Sequence, residues 1–175
     1  MKVLGITGWS GSGKTTLIVA LLPRLRARGL RVSTFKHAHH GFDIDRSGKD
    51  SYNHREAGAE EVLICSDQRW VLMHELRDEP VPSLDELLQR LQPVDLVLLE
   101  GWKNEPWPKL EVWRPANGKP LRFPEDDSII AVVTDSALRP ELHGRSGLPV
   151  LPLNDADAVS EFIAGWVRRD EHATF

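Results

Sequence analysis

The segment with the clearest chemistry is Gly8-Trp9-Ser10-Gly11-Ser12-Gly13-Lys14-Thr15, followed by Thr16. Its spacing, G-x-x-x-x-G-K-[ST], is typical of a loop that binds the phosphates of a nucleoside triphosphate. Such a loop turns its backbone N–H groups inward around an anion, and glycine permits those turns because it tolerates positive φ. Lys14 would reach the β- and γ-phosphates, and the Thr15 hydroxyl would bind Mg²⁺. These nine residues are the candidate nucleotide-binding residues.

The residues on either side of this loop predict the strand and the helix that it requires. Residues 3–7 form a short apolar run that is typical of a buried strand. A helix that begins at the loop would direct the positive end of its dipole at the phosphates. Gly29 stands where that helix would end. The apolar residues that recur at helical spacing between them are Leu17, Ile18, Leu21, Leu22 and Leu25.

Glu100 is, with Thr15, the first candidate ligand for a metal ion. It follows the most apolar run of the chain, which predicts a central strand covered on both faces. Ligands bind outside the carboxyl ends of parallel strands, so we expect Glu100 to lie level with the phosphate loop. Mg²⁺ on a triphosphate takes hard oxygen ligands, and one or two carboxylates suffice. The alternative is a solvated acid at the end of a strand.

A histidine-rich stretch, Lys36-His37-Ala38-His39-His40, follows a second predicted strand over residues 30–36. We expect it on the same edge of the sheet as the phosphate loop, which makes Lys36 and His37 candidate nucleotide contacts. The histidines could instead form a zinc site or be ordinary surface residues. A zinc site needs three or four nitrogen or sulfur ligands, and the single cysteine, Cys65, falls within a predicted buried strand.

Asp43 and Asp45 lie in the polar loop that comes next. Either could supply a further metal or water contact, and either could be an ordinary loop carboxylate. We include Asp45 with Thr15 and Glu100 among the candidate metal ligands. If the protein transfers a phosphoryl group, His37 or Asp45 would orient the acceptor. Lys14, His37 and Asp45 are therefore the candidate catalytic residues.

The sequence gives only a weak indication of which nucleotide base the protein recognises. GTPases that select guanine usually carry Asn-Lys-x-Asp after a late strand, and that tetrapeptide does not occur in this sequence. Asp135 follows a late predicted strand, where a carboxylate could accept hydrogen bonds from guanine, although a capping aspartate is an equal alternative. The sequence also shows no evident catalytic glutamine or arginine finger. Such a finger raises the rate by about 10³–10⁵, so we predict slow hydrolysis.

Length, composition and charge favour one soluble α/β domain. The formal charge of −4 and the pI near 6.0 argue against a nucleic-acid or anionic membrane surface as partner. One cysteine permits no internal disulfide, and no apolar run approaches the ~20 residues of a membrane span. We therefore expect a cytoplasmic protein with a single nucleotide-binding domain over residues 1–175. Its strands and helices alternate, which predicts a doubly wound, mostly parallel sheet flanked by helices.

Residues 102–128 form a proline- and tryptophan-rich excursion from this pattern. We expect one strand in it, over residues 109–114, with a turn at Asn117-Gly118 that could make a hairpin. Its aromatic residues could face a protein partner or pack against the protein's own sheet. They are Trp102, Trp107, Trp113 and Phe123.

Three stretches besides the phosphate loop resemble a known family. They are Lys36-His37-Ala38-His39-His40, Gly48-Lys49-Asp50-Ser51 and Leu99-Glu100-Gly101-Trp102-Lys103. Together with the loop, and in this order, they are similar to the MobB family of molybdopterin-guanine dinucleotide biosynthesis adaptor proteins. The resemblance extends over essentially the whole chain.

This resemblance implies a P-loop protein that binds GTP and Mg²⁺, has weak GTPase activity and assists the attachment of GMP to molybdopterin. It implies MobA, the guanylyltransferase, as partner. It supports Glu100 as a metal ligand and implies a homodimer, for which residues 102–127 are a plausible contact region. Two alternatives remain. One is a small-molecule kinase or ligase, and the other is a metallochaperone that uses His37, His39 and His40.

Overall fold

A parallel sheet of six strands carries the predicted phosphate loop. The computed structural model describes residues 1–38 and 41–169. The chain divides into two compact units. The first comprises Met1–His37 together with the chain from Pro93 onward, and the second comprises Ala38–Gln92. His39 and His40 lie outside the described residues.

The first unit contains the six-stranded sheet. Its strands are β1 (Lys2–Thr7), β2 (Val32–Lys36), β5 (Leu96–Glu100), β6 (Lys109–Trp113), β7 (Ile129–Thr134) and β8 (Val150–Pro152). They lie side by side in the order β2-β5-β1-β6-β7-β8. Every pairing in this sheet is parallel, which confirms the predicted fold class.

Two helices pack against the sheet. The helix α1 (Lys14–Ala27) starts directly after the glycine-rich loop and ends ahead of Gly29, as predicted. The helix α4 (Ala156–Arg168) begins at Asp155, whose side chain accepts hydrogen bonds from two backbone N–H groups of the first turn. Apolar residues of both helices share one core with the centre of the sheet. Each such side chain contributes about 1.5–3 kcal/mol on burial.

The chain between β5 and β7 differs from the predicted hairpin. The strand β6 lies between β1 and β7 and is parallel to both, so the hairpin prediction was wrong. Trp113 packs against a small core formed by Phe123, Ile129 and Val132, and Phe123 is fully buried. Two of the aromatic residues of the excursion therefore stabilise the protein's own fold.

The second unit contains the helices α2 (Asp50–Glu56) and α3 (Leu84–Gln89) and an antiparallel hairpin of β3 (Glu61–Cys65) and β4 (Trp70–His74). Both strands match the prediction. The capping box at Ser83 is present, because its hydroxyl accepts the N–H of Glu86 while the Glu86 carboxylate accepts the N–H of Ser83. Cys65 is exposed, so its predicted burial was wrong.

Over residues 1–38 and 41–169, no helix is both long enough and apolar enough to cross a membrane.

Candidate functional site

The glycine-rich loop joins β1 to α1 in a conformation that its glycines alone allow. Gly8 has a φ of 142°, and a Cβ atom built on it would lie 2.3 Å from the carbonyl oxygen of Val112. Gly13 has a φ of 98° and precedes the first residue of α1. L-residues with a side chain rarely adopt such angles. The loop is therefore held against β6 on one side and opens at the amino end of α1.

The ammonium group of Lys14 lies over the loop backbone. Its Nζ donates hydrogen bonds of 2.9 Å to the carbonyl oxygens of both Gly8 and Trp9. Burial lowers the pKa of this ammonium from its usual value, and the nearby Glu100 carboxylate partly opposes that effect. A partly buried cation beside the backbone of a glycine-rich loop can bind an anion of high charge, such as a phosphate.

Thr15 and Glu100, the predicted metal ligands, are in direct contact, and their binding of a metal ion stays a prediction. The Thr15 hydroxyl donates a 2.7 Å hydrogen bond to Oε1 of Glu100. Glu100 is the last residue of β5, and β5 pairs with β1, so the register of the sheet sets this distance. The two oxygens offer the hard ligands that Mg²⁺ prefers, and both groups are accessible from the loop.

Ser12 gives a further indication that the loop is built for a ligand. Its side chain is 1% exposed, and its hydroxyl has no hydrogen-bond partner in the described parts of the chain. Buried polar groups in proteins are nearly always hydrogen-bonded. The residues present thus fit a Mg²⁺–nucleoside triphosphate, with backbone N–H groups and Lys14 for the phosphates and Thr15 with Glu100 for the metal.

Lys36 and His37 lie beside Glu100 at the end of β2. Lys36 is in register with Glu100, and the N–H of His37 donates a 2.9 Å hydrogen bond to the Glu100 carbonyl oxygen. The Trp102 ring stands 4.8 Å from the His37 ring and 5.3 Å from the Phe35 ring, centroid to centroid. The predicted contacts of Lys36 and His37 to a nucleotide stay predictions, as does the catalytic role of His37.

Asp43 and Asp45 lie in the second unit, where both have partners. Nη2 of Arg55 bonds to Asp43 at 2.9 Å, and Nε of Arg55 stands 3.5 Å from Asp45. The N–H of Asp45 and, next, the Arg55 guanidinium hold the pKa of the Asp43 carboxyl below its usual value. Ser51 also donates to Asp45. The metal or water contact of either aspartate and the catalytic role of Asp45 stay predictions.

The histidine hypothesis for a metal is likewise untested. Within residues 1–38 and 41–169, no group of three or more His, Cys, Asp or Glu side chains is arranged to hold a metal ion. His39 and His40, which the hypothesis needs, are outside those ranges.

The structure adds Arg114 to the site, a residue that the sequence reasoning missed. Its Nε stands 3.5 Å from Oδ2 of Asp135, and its Nη2 would be 3.7 Å from a Cβ atom on Gly13. Arg114 directly follows β6, and Asp135 directly follows β7, its neighbour in the sheet. Strand order brings the two residues together, and the sequence alone does not give that order.

Two cavities lie beside this pair. The first, about 470 Å³, is lined by residues that include Gly13, Thr16, Arg114 and Asn154. The second, about 350 Å³, is lined by Thr134, Asp135, Ser136 and the chain from Val150 to Asn154. Leu153 and Asn154 contribute to the lining of both.

Trp9 links the loop to residues 119–122. Its indole N–H donates a 2.8 Å hydrogen bond to the carbonyl oxygen of Pro120, and the cationic groups of Lys119 and Arg122 lie within 5.8 Å of the ring centroid. The buried Glu111 carboxylate anchors this segment by accepting the N–H groups of Arg122 and Phe123. Burial raises the pKa of Glu111, although these two donors act in the opposite direction.

The glycine-rich loop between β1 and α1, on a parallel sheet with helices, defines a protein of the P-loop α/β class. The family model for molybdopterin guanine dinucleotide synthesis protein B, MobB, matches residues 3–135. The chain belongs to the MobB family.

Two relatives and one solved structure support that assignment. Both relatives are molybdopterin-guanine dinucleotide biosynthesis adapter proteins. The one from Haemophilus influenzae is 44% identical over 170 residues, covering 95% of this chain and 90% of its own. The one from Escherichia coli is 38% identical over 172 residues, which cover 97% of this chain and 95% of the relative. A crystal structure of molybdopterin-guanine biosynthesis protein B has a TM-score of 0.73 and 30% identity, and the match covers 95% of this chain and 99% of that one.

Proposed function

We propose that this adapter protein of molybdopterin-guanine dinucleotide biosynthesis binds GTP with Mg²⁺, hydrolyses it slowly, and acts in the cytoplasm on a MobA-like guanylyltransferase. The observation that carries the nucleotide part is the 2.7 Å contact between Thr15 and Glu100 beside the Lys14 ammonium. Those three side chains supply the metal ligands and the phosphate cation that a P-loop site needs. Bound Mg²⁺ would neutralise charge on the β- and γ-phosphates.

Slow hydrolysis follows from what surrounds the phosphate loop. The three glutamines of the sequence, Gln68, Gln89 and Gln92, all lie in the second unit. The first unit therefore contains no glutamine that could orient the attacking water, which is the role of glutamine in efficient GTPases. Arg114 is engaged with Asp135. This supports a protein that holds its nucleotide and signals its presence to a partner.

We further propose that the protein works as a homodimer. The excursion over residues 102–127 is a weaker candidate for the contact because Trp113 and Phe123 serve the protein's own core. Exposed apolar side chains lie instead on one face of the β3–β4 hairpin, where Leu63, Trp70 and Leu72 are 64%, 63% and 45% exposed. A second copy packed on this face would remove these apolar side chains from water, which favours association. Light scattering after size-exclusion chromatography tests this directly.

The nucleotide proposal is tested by calorimetric titration of GTP with and without Mg²⁺. Wild type should bind GTP more tightly with the metal, and Lys14→Ala should lose at least about tenfold in affinity because a buried charge-assisted contact is removed. Arg26→Ala serves as control, since it removes an exposed cation from the carboxyl-terminal part of α1, about 18 Å along the helix from Lys14. If Lys14→Ala and wild type bind equally, the proposed site is wrong.

The adapter role is tested separately, with a MobA-like enzyme and molybdopterin. Addition of the wild-type protein with GTP should increase guanine dinucleotide formation, and Lys14→Ala should not. Equal stimulation by both proteins would separate the adapter role from nucleotide binding and contradict the combined proposal.

A further inference from the structure

Glu111 is a buried carboxylate that makes no direct contribution to the proposed nucleotide site. It is the central residue of β6 and is fully buried. A carboxylate at such a position loses its hydration, which is costly unless hydrogen bonds replace the lost water. Here the two carboxylate oxygens accept the backbone N–H groups of Arg122 and Phe123, at 2.7 and 2.9 Å. The side chain therefore fixes the backbone of a segment that is eleven and twelve residues further along the chain.

Three alternate residues of β6 hold the chain that returns after this strand. Lys109, Glu111 and Trp113 lie on the same face of the sheet because side chains alternate along a strand. The indole N–H of Trp113 donates a 2.9 Å hydrogen bond to the carbonyl oxygen of Lys119. The ammonium group of Lys109 lies 3.1 Å from the Asp126 carboxylate. Glu111 lies between these two contacts, so the returning chain is fixed at three points.

The segment that Glu111 holds contacts the phosphate loop through Trp9. The indole N–H of Trp9 donates a 2.8 Å hydrogen bond to the carbonyl oxygen of Pro120. The carbonyl oxygen of Trp9 accepts hydrogen bonds from the Lys14 ammonium at 2.9 Å and from the N–H of Ser12 at 3.2 Å. The side chain of Trp9 is therefore bound to the segment that Glu111 fixes, and its backbone is bound to the cation that would meet the phosphates.

The packing of the loop makes it sensitive to the position of Trp9. A Cβ atom on Gly8 would lie 2.3 Å from the carbonyl oxygen of Val112, so the loop rests directly on the strand that carries Glu111. Backbone N–H groups bind an anion well only when several of them point to the same place. A shift of Trp9 would move an oxygen that holds Lys14, and would thereby change the affinity for phosphates without any contact between Glu111 and the nucleotide.

We infer that Glu111 is a positioning residue for the phosphate loop, and that it acts through residues 120–123 and the indole N–H of Trp9. This inference rests on the proposed binding of GTP at the loop. It gives the buried carboxylate a function beyond the stability of the fold. Because the loop holds phosphates and not the base, the effect should be the same for GTP and for inorganic triphosphate.

The experiment is a double-mutant cycle of Glu111→Gln and Trp9→Phe. Glu111→Gln keeps the volume of the side chain but turns an amide NH₂ group toward one of the two backbone N–H groups. Trp9→Phe keeps an aromatic ring and removes its N–H. Each single variant should weaken the binding of GTP and of inorganic triphosphate, both with Mg²⁺, by about two- to tenfold, which is the range that one hydrogen bond contributes. The double variant should bind no more weakly than the weaker single variant, because both changes break the same connection.

A second measurement follows the connection itself. The indole N–H of Trp9 should lose protection from hydrogen exchange in Glu111→Gln, because its acceptor at Pro120 is no longer held. NMR of protein labelled with ¹⁵N at tryptophan detects this loss. If Glu111→Gln does not fold, Glu111→Asp takes its place in the cycle, since it keeps the charge and withdraws the carboxylate from the two N–H groups by one methylene.

Asp126→Asn is the matched control. It changes the other charged contact of β6, the one to Lys109, and leaves the hydrogen bonds of Glu111 and Trp9 in place. This variant should unfold at a lower temperature, but both affinities should stay within about twofold of wild type, and the Trp9 indole should keep its protection. A purely structural role of Glu111 would make Glu111→Gln behave in the same way.

Three results would overturn the inference. The first is a Glu111→Gln protein that binds both ligands like wild type. The second is a double variant whose loss equals the product of the two single losses, which would exclude a connection through Trp9. The third is an Asp126→Asn protein that is weakened as much as Glu111→Gln. Failure of the proposed function is a different result, in which wild type binds neither ligand or Lys14→Ala binds both as well as wild type.

Discussion

The hydroxyl of Thr15 donates a 2.7 Å hydrogen bond to Oε1 of Glu100, which joins the first turn of α1 to the carboxyl end of β5. The two residues are 85 positions apart in the sequence. Their contact depends on the pairing of β5 with β1, in which Glu100 stands opposite Ile6. The same contact fixes where a metal ion would meet the nucleotide.

Substitution of Glu100 by Gln should remove the effect of Mg²⁺ on GTP binding. We expect the affinity for GTP with Mg²⁺ to fall by about tenfold, because an anionic oxygen ligand becomes a neutral amide. The affinity for GTP without metal should stay within about twofold. Titration with and without Mg²⁺ measures both, and Glu161→Gln on the exposed face of α4 is the control. An unchanged metal dependence in Glu100→Gln would contradict the assignment.

Gly8→Ala should disrupt the loop. The added Cβ would lie 2.3 Å from the Val112 carbonyl oxygen at a φ of 142°, so the backbone has to move. Strain of this kind costs about 1–3 kcal/mol, and the steric conflict adds to it. Gly165→Ala is the matched control, because Gly165 lies inside α4 with no atom within 4 Å of its Cβ position. That change should stabilise the protein by about 0.5–1 kcal/mol.

Urea unfolding of the two glycine variants gives the comparison. Gly8→Ala should lower the free energy of unfolding, and Gly165→Ala should raise it. If Gly8→Ala were as stable as wild type and bound GTP equally well, the close approach of the loop to β6 would not exist in solution.

The stability of the second unit should depend on pH through His74. Its Nδ1 lies 2.9 Å from Glu61 and its Nε2 lies 3.0 Å from Glu79. These two carboxylates, Glu61 first, raise the pKa of His74 above 6.5. A raised folded-state pKa contributes stability that is complete below the unfolded value of 6.5 and is lost as the pH rises through the folded value. Stability should therefore fall as the pH rises above about 6.5.

Hydrogen exchange of the β3–β4 amides at pH 6 and pH 8.5 measures this effect. Opening free energies from exchange rates corrected for pH should be larger at pH 6 in wild type, and the difference should disappear in His74→Asn. His54→Asn, an exposed histidine on α2, should retain it. A pH effect that survives in His74→Asn would show that other groups cause it.

Ser83→Ala should destabilise α3. The substitution removes the acceptor for the N–H of Glu86 and the hydroxyl that donates to its carboxylate. Loss of such a cap costs about 0.5–2 kcal/mol. The pKa of Glu86 is lowered chiefly by the Ser83 hydroxyl, so it should rise toward its usual value in the variant. Carboxyl NMR titration of Glu86 reports the cap itself, and an unchanged pKa would mean that the box does not form.

Local features of the fold could be predicted from the sequence, and long-range ones could not. The loop, the start of α1 and the strands β3 and β4 follow from glycine spacing, apolar periodicity and turn residues. The position of β6 between β1 and β7 depends on pairings between distant segments, so the predicted hairpin at Asn117-Gly118 was wrong. Arg114 was missed for the same reason. An arginine at the end of a strand can be assigned to a site only when the strand that lies beside its own strand is known.

Which side chains of the β3–β4 hairpin are buried could not be predicted from the sequence either. Cys65 belongs to an apolar run, and such a run predicts a covered strand. In a two-stranded sheet only one face has a partner within its own unit. Val62 and Met73 take that face, which leaves Cys65 and Trp70 exposed on the other.

The contact between Trp9 and residues 119–122 has a spectroscopic consequence. The indole belongs to the phosphate loop, and the cationic groups of Lys119 and Arg122 lie within 5.8 Å of its ring, so we expect its emission to depend on the local electric field. A nucleotide that brings several negative charges to the loop changes the field at that ring. A variant that retains Trp9 as its single tryptophan would therefore report loading of the protein in real time, without a label on the nucleotide.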